Sequence, residues 1–415
     1  MIEYDLFNTW ATTKHFSYNN FDINNNFICN PTKVKPNIIV SVFEDWWDDF
    51  YLEYKDCIDK YRPNANDEVH KMIDCHNKNL GFDLFFCDDC HECFTLAHTC
   101  KSRFCSSCGI KYQNNICENI LQTCHKTKHR QIVFTIPKEL RKLFFDDFFA
   151  LNVLYDAVCD TLYSTVNGKV KKNTRNKLKT RKLLKKIPGF FAFLHTFGRD
   201  LKFNPHIHVL IAETIFDDTI FKIYNYFDYD ALSKRFQYIL LDKLETYFGK
   251  TKFKDIKNKL YLNYKNGFYV YAEAKKFNSL IDGIKYVTRY CARPVIGLKR
   301  ILDYDGNNVT FSYNDHKDDS YNEVTISVFK FMTLLLMHII PKNFKTIRAY
   351  GFYNKKHHSS SKVNNLISKH LHAVRKKALT YFNLIKSSYN KNPLECPSCG
   401  KIMVYQLKVL KKGYG

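Results

Sequence analysis

The 415-residue chain has no apolar run near the ~18 residues that a membrane-spanning helix needs. Its longest candidate, FMTLLLMHII at 331–340, reads as a buried helix. The opening residues, MIEYDLFNTWATTKHF, show no basic-then-apolar leader, so a cytoplasmic location is expected. There is no internal repeat, and no Walker-type glycine loop to hold a nucleotide cofactor or power a helicase. Acidic residues are in short supply: 41 Asp and Glu face 64 Lys and Arg, leaving a net charge of +23. Such an excess favours a polyanionic partner, most often nucleic acid, through phosphate neutralisation and counterion release. What is plentiful is apolar side chain, at 45% of residues, which excludes a disordered chain and supports two or three domains.

In a reducing compartment the fifteen cysteines are expected to be metal ligands or buried thiols rather than disulfides. Eight of them fall between residues 87 and 124. Cys87-x2-Cys90 and Cys105-x2-Cys108 each let two thiolates approach one ion from a tight turn, and together they predict a tetrahedral four-sulfur zinc site. Cys100, Cys93 or His98 could replace one ligand, and a second ion is possible. Lys101, Arg103 and Lys111 give this module a basic face suited to DNA. The late CPSCG, with Cys396 and Cys399, is half of another knuckle, completed by His370 and His372 or by nothing.

From about residue 130 the texture becomes short β-like runs, RQIVFTIP, GFFAFLHTFG, HIHVLIAE and FYVYAEAKK, interleaved with helical stretches such as ALSKRFQYILLDKLETYFG. An α+β fold with a mainly antiparallel sheet is expected. Four regions follow: 1–80, helical and without assignable chemistry; 81–128, cysteine-rich; 129–355, the α+β domain; and 356–415, basic and ending in the CPSCG knuckle. The loop KVKKNTRNKLKTRKLLKK at 169–186 is either a solvated linker or a nucleic-acid contact.

Within FNPHIHVLIAE, a strand would put His206 and His208 on one face. If GFFAFLHT pairs beside it, His195 projects toward the same ion, and three imidazoles with open positions describe a catalytic metal centre. Hydrogen-bonded core histidines are the competing reading. Further on, NSLIDGIKYVTRYCARP predicts a helix capped by Ser279, with Tyr286 and Tyr290 one turn apart on one face. A packed aromatic face is the default, but Lys285, Arg289, Arg293, Lys299 and Arg300 are unusual company for core aromatics and natural company for a phosphodiester. A tyrosine hydroxyl can serve as a covalent nucleophile if its phenolate is stabilised.

Zinc cluster, His-x-His strand and paired-tyrosine helix in this order resemble the rolling-circle HUH transposases with two tyrosines, the insertion-sequence class numbered ninety-one. The resemblance runs over about 85–355 plus CPSCG, through CDDC, TCKSRFCSSCG, RQIVFTIPKELR, HTFGRDLKFNPHIHVLIA, YVTRYCARPVIGLKRI, VTFSYND and PKNFKTIRAYGFY. It implies an HUH endonuclease core, a central antiparallel sheet with flanking helices, preceded by a small zinc-binding module. His206 and His208 match the motif's pair, and His195 falls where related relaxases carry a third histidine. Tyr286 and Tyr290 match the two nucleophiles, which would cleave and rejoin single-stranded DNA at element ends through 5′-phosphotyrosine links. The implied catalytic ion is Mg2+ or Mn2+, with nitrogen ligands favouring Mn2+. Lys285, Arg289, Arg293, Arg300, Arg103 and Arg199 are the expected DNA contacts, in a prokaryotic, nucleoid-associated protein. A plasmid replication initiator or relaxase would share this chemistry, and a non-catalytic zinc-dependent DNA-binding protein is the rival of another class.

Overall fold

The computed structural model describes residues 37–77, 80–125, 127–168, 186–217, 219–271, 294–315, 318–356 and 381–410. The expected tyrosine helix, with Lys285, Tyr286, Arg289, Tyr290 and Arg293, lies outside the described residues, as do the basic run 169–185 and the His370–His372 pair.

The aromatic-rich segment forms helix α1 (Ile38–Tyr61), whose first turn is capped by Asn37: the side-chain oxygen accepts from the Val40 N–H at 3.2 Å. Helix α2 (Ala65–Ile73) follows, then the hairpin β1 (Gly81–Phe86) and β2 (Cys93–Ala97), then α3 (Ser106–Thr123). The next elements are β3 (His129–Thr135), α4 (Lys138–Asp146), α5 (Leu151–Asn167), β4 (Lys186–Phe197), β5 (Phe203–Asp217) and β6 (Ile220–Ile223). After α6 (Tyr229–Phe248), α7 (Lys250–Asn263) and the short β7 (Val270–Tyr271) come β8 (Ile301–Tyr304), β9 (Asn308–Asn314), β10 (Tyr321–Ser327) and α8 (Val328–Leu336). The described chain closes with β11 (Ile347–Gly351), α9 (Tyr381–Tyr389) and β12 (Val404–Leu410). This is the expected mixture of helices and antiparallel sheet, and no helix among the described residues is long and apolar enough to cross a membrane.

The largest sheet has the antiparallel order β11-β4-β5-β3-β7, with β6 beside the far end of β5. β4 is buried along almost its whole length, which explains why its sequence runs apolar without alternation: it is covered on both faces. On one face Ile132, Phe134, Phe190, Leu194, Ile207 and Val209 pack under α5 and α6. On the other, Phe191, Phe193, Leu210 and Ala212 pack under Ile120 and Cys124 at the end of α3. The odd-numbered residues of β4 and the even-numbered residues of β5 share this second face, so it is also the face that carries the three histidines.

A second sheet, β8-β9-β10, packs with α8 against α1 and α2 in a core built on Phe43, Trp47, Val309, Phe311 and Phe331. Residues 37–77, to which the sequence attached no chemistry, thus complete a core with segments more than 200 residues away. Arg62 fastens them to it: its guanidinium, 5% exposed, donates from Nε and Nη2 to the Met337 carbonyl at 3.1 and 2.7 Å and stacks on Phe145 and Phe148. A third sheet, β12-β1-β2, joins the hairpin to the late CPSCG segment, with Gly81 opposite Leu410 and Phe86 opposite Val404.

Candidate metal centres

His195 on β4 stands directly opposite His206 on β5, and His208 stands two residues further along the same face. Ring centroids are 5.2 Å apart for His195 and His206, 4.6 Å for His195 and His208, and 4.9 Å for His206 and His208. One nitrogen from each ring lies within 4.8 Å of the others. The register of β4 on β5 shifts between His195 and Phe197, the kind of irregularity that re-aims side chains at the edge of a site.

Outer contacts set the tautomers. His206 Nδ1 lies 2.7 Å from the Asn204 carbonyl, which can only accept, so Nδ1 carries the proton and Nε2 keeps its lone pair. The Gln131 amide on β3 meets His208 Nδ1 at 2.8 Å. With the amide turned so that its oxygen faces the ring, Nδ1–H donates to Gln131 Oε1, a buried atom that otherwise has no partner, and His208 Nε2 is left for an ion. Burial, with the neighbouring His195 and His206 rings, holds His208 well below the ordinary histidine value. It is therefore neutral near pH 7, as a ligand must be. Three clustered imidazoles fit a divalent cation that takes nitrogen ligands.

Beside His195 a cleft of about 370 Å3 separates the end of β4 from the cysteine-rich module, lined by Lys71, Lys101, Arg103, Tyr112, His338 and Lys342 among others. His338 gave no signal in the sequence. It is 4% exposed, accepts from Thr196 through Nδ1 at 3.0 Å, and donates from Nε2 to the Leu201 carbonyl at 2.8 Å. Burial pushes it down to about 4.

The expected DNA contacts that are described have other engagements. Arg103 donates to Thr346 Oγ1 at 2.8 Å and to the Phe344 carbonyl at 3.3 Å. Arg300 donates from Nε to the Ser312 carbonyl at 2.7 Å and from Nη2 to the Arg199 carbonyl at 2.5 Å, and Arg199 pairs with exposed Asp319 at 2.8 Å.

The cysteines sort differently from the single site expected of Cys87, Cys90, Cys105 and Cys108. Cys105 and Cys108 cluster with Cys75 and Cys100, while Cys87 and Cys90 cluster with Cys396 and Cys399. The cause is the fold: the first pair sits in the β1–β2 turn and the second at the start of α3, where Cys105 is the N-cap residue and Gly109 N–H bonds its carbonyl at 2.8 Å. Cys100 is thus a member of the α3 cluster itself, and the isolated Cys75, just beyond α2, supplies the ligand that sequence reasoning missed. Cys93 joins neither group, and His98 faces Asp83 at 3.4 Å. In the α3 cluster Sγ separations of 3.6 Å (Cys75–Cys108) and 3.5 Å (Cys100–Cys108) are far from a ~2.05 Å disulfide and near the ~3.8 Å edge of a zinc–sulfur tetrahedron. A hydrogen bond from Cys100 holds both Cys105 and Cys108 below the ordinary thiol value, so a thiolate is available to a cation.

Two family profiles match the chain: one described as "Putative transposase" over residues 189–362, the other as "Transposase zinc-binding domain" over residues 42–136. The transposase for insertion sequence element IS801 of Pseudomonas savastanoi pv. phaseolicola is 26% identical over 360 residues, covering 81% of this chain and 82% of that one. The chain belongs to the IS91 transposase family. The putative transposase y4qJ of Sinorhizobium fredii is also 26% identical, over 301 residues, 68% of this transposase and 73% of that relative. No solved structure matches. The zinc-binding span takes in Cys75, Cys87, Cys90, Cys100, Cys105 and Cys108, and the grouping that lies wholly inside it, Cys75 with Cys100, Cys105 and Cys108, suits structural zinc: soft ligands in a closed set with no position left for a substrate. The other span contains all three clustered histidines and both tyrosines. Neither span reaches Cys396 or Cys399.

Proposed function

We propose that this transposase is an HUH-type nuclease and strand transferase that cuts and rejoins single-stranded DNA at the ends of its own insertion element. The observation that carries the reading is the convergence of His195, His206 and His208 on one face of an antiparallel sheet, with His206 and His208 oriented from behind by Asn204 and Gln131. These three side chains would hold Mg2+ or Mn2+. When bound, the ion supplies Lewis acidity, drawing charge from the scissile phosphate.

The nucleophiles are Tyr286 and Tyr290. The phenol oxygen of one attacks the scissile phosphorus, the bond to the 3′ oxygen breaks, and that oxygen leaves with a proton as a free 3′-hydroxyl. The strand's 5′ phosphate is then esterified to tyrosine. In the return step a 3′-hydroxyl attacks the same phosphorus and the phenolate departs, so one phosphodiester is exchanged for another and no nucleotide is consumed. The net charge of +23 supplies the long-range attraction for DNA, and the cleft between zinc module and histidine face offers a basic path toward the reacting phosphate.

Incubating the protein with end-labelled single-stranded oligonucleotides of the element ends and Mn2+ tests the reading. A denaturant-resistant protein–DNA adduct is expected, absent from the Tyr286→Phe, Tyr290→Phe double variant and from the His206→Ala, His208→Ala variant. The same adduct from the double tyrosine variant, or none from the wild type, would sink it. Binding without any adduct would favour a non-catalytic DNA-binding protein, and cleavage confined to a plasmid origin would favour a replication initiator or relaxase.

A further inference from the structure

The two CxxC turns that meet in the second cysteine cluster repeat one another bond for bond. In CDDCHE the Cys87 N–H donates to the Glu92 carbonyl at 2.9 Å and the His91 N–H to the Cys87 carbonyl at 2.9 Å. In CPSCGK the Cys396 N–H donates to the Lys401 carbonyl at 2.8 Å and the Gly400 N–H to the Cys396 carbonyl at 2.9 Å. The fifth residue of each takes a left-handed backbone, His91 at φ 58° and Gly400 at φ 71°. A histidine accepts that conformation only against a steric penalty, so something beyond local preference holds the first turn in the shape of the second.

That shape points all four sulfurs inward. Cys87 Sγ is 3.5 Å from Cys399 Sγ, and Cys90 Sγ is 3.5 Å from Cys396 Sγ, with the four within 4.8 Å of one another. No pair is close enough for a disulfide at ~2.05 Å, and the set is near the ~3.8 Å edge of a tetrahedron around zinc. Each knuckle stands at the end of a strand, and the two strands, β1 and β12, pair over Phe85, Leu96, Ile385 and Met403. Repelling thiolates would not be gathered at the edge of such a small core without a cation between them.

We infer that a second zinc ion, held by Cys87, Cys90, Cys396 and Cys399, closes a zinc ribbon whose two halves are separated by 306 residues between Cys90 and Cys396. The site is distinct from the cluster at α3 and does not depend on the nuclease reading. It is structural, because all four positions are filled by thiolates. The ribbon also anchors α9, which lies against α3: Asn114 donates to Ser388 Oγ at 3.0 Å, and Tyr389 meets His76 edge-on at 5.2 Å. The late segment is therefore part of the zinc module, bridging both cysteine clusters.

Metal analysis of the purified full chain is expected to give two zinc ions per molecule, falling to one in Cys396→Ser, Cys399→Ser and to one in Cys75→Ser, Cys100→Ser, with two retained in the control Cys57→Ser. One ion in the wild type, two in the Cys396/Cys399 variant, or iron in place of zinc overturns the inference. A measurement on the unmutated protein guards against misfolded variants: mass-spectrometric footprinting with a thiol alkylator. Cys90 and Cys399, both exposed, should resist labelling as purified and react after chelation, while exposed Cys57 labels throughout. Equal labelling of Cys90, Cys399 and Cys57 before chelation overturns it as well.

Discussion

Gln131→Leu should weaken Mn2+ binding at the histidine centre by about 10–100-fold, or about 1.4–2.7 kcal/mol, the usual cost of losing an outer partner of a metal-bound histidine. The substitution puts a branched apolar side chain, one bond shorter, in place of the amide and removes one contact, the 2.8 Å bond between the Gln131 amide and His208 Nδ1. Gln131 is 8% exposed on β3, between β5 and β7, so an apolar side chain is tolerated there and the backbone ladder is untouched. Melting temperature should change little, because the buried amide is removed together with the one hydrogen bond it makes. Without an acceptor behind it, His208 can place its proton on Nε2 or rotate, and either removes the lone pair facing the ion. Titrating Mn2+ into the apoprotein, followed by loss of the free-ion electron paramagnetic signal, measures the dissociation constant. Gln131→Glu, whose carboxylate accepts from Nδ1–H, should bind within a few-fold of wild type or more tightly. Unchanged affinity in Gln131→Leu would refute the orientation assigned to His208 and with it the histidines' suitability as a preorganised site.

Arg62→Ala should lower unfolding free energy by about 2–4 kcal/mol in urea titration, because it strands the Met337 carbonyl and empties the space over Phe145 and Phe148; a loss below about 1 kcal/mol would contradict the anchoring role. Arg62→Lys should recover little, since an ammonium cannot make the paired bonds. His338 gives a pH signature. Its folded value of about 4 lies below the unfolded ~6.5, so its neutral form contributes stability that is complete above pH 6.5 and lost as pH falls toward 4, about 3 kcal/mol in all. The stability of wild type relative to His338→Gln should therefore be flat above pH 6.5 and decline by about 1.4 kcal/mol per unit below it; a pH-independent difference would refute the assignment.

Much of the sheet was legible because its strands are bounded by turn residues and carry β-branched and aromatic side chains: RQIVFTIP, GFFAFLHT and HIHVLIAE became β3, β4 and β5. The meeting of His195 with the His-x-His pair was legible too, because a short connection between two such strands leaves antiparallel pairing as the simplest arrangement. The partition of cysteines was not. CxxC spacing says that two sulfurs can share an ion, but not which other pair completes it, and that choice is made by β12 lying along β1. Cys75 stands alone in sequence and becomes a cluster member only because α2 ends beside the start of α3. Gln131 and His338 were illegible for a related reason: one polar residue in an apolar strand or helix end acquires meaning only from the atoms packed around it.

The pairing of β12 with β1 has a consequence for synthesis. At about 5–20 residues per second, a ribosome takes roughly 15–60 s to reach Cys396 after making Cys90, which lies 306 positions earlier. Throughout that interval the nascent hairpin has half its sulfur ligands and an unpaired outer edge. The newborn transposase is therefore most vulnerable to oxidation and to edge-to-edge association while translation is still under way, and low zinc or slow elongation should lengthen that exposure.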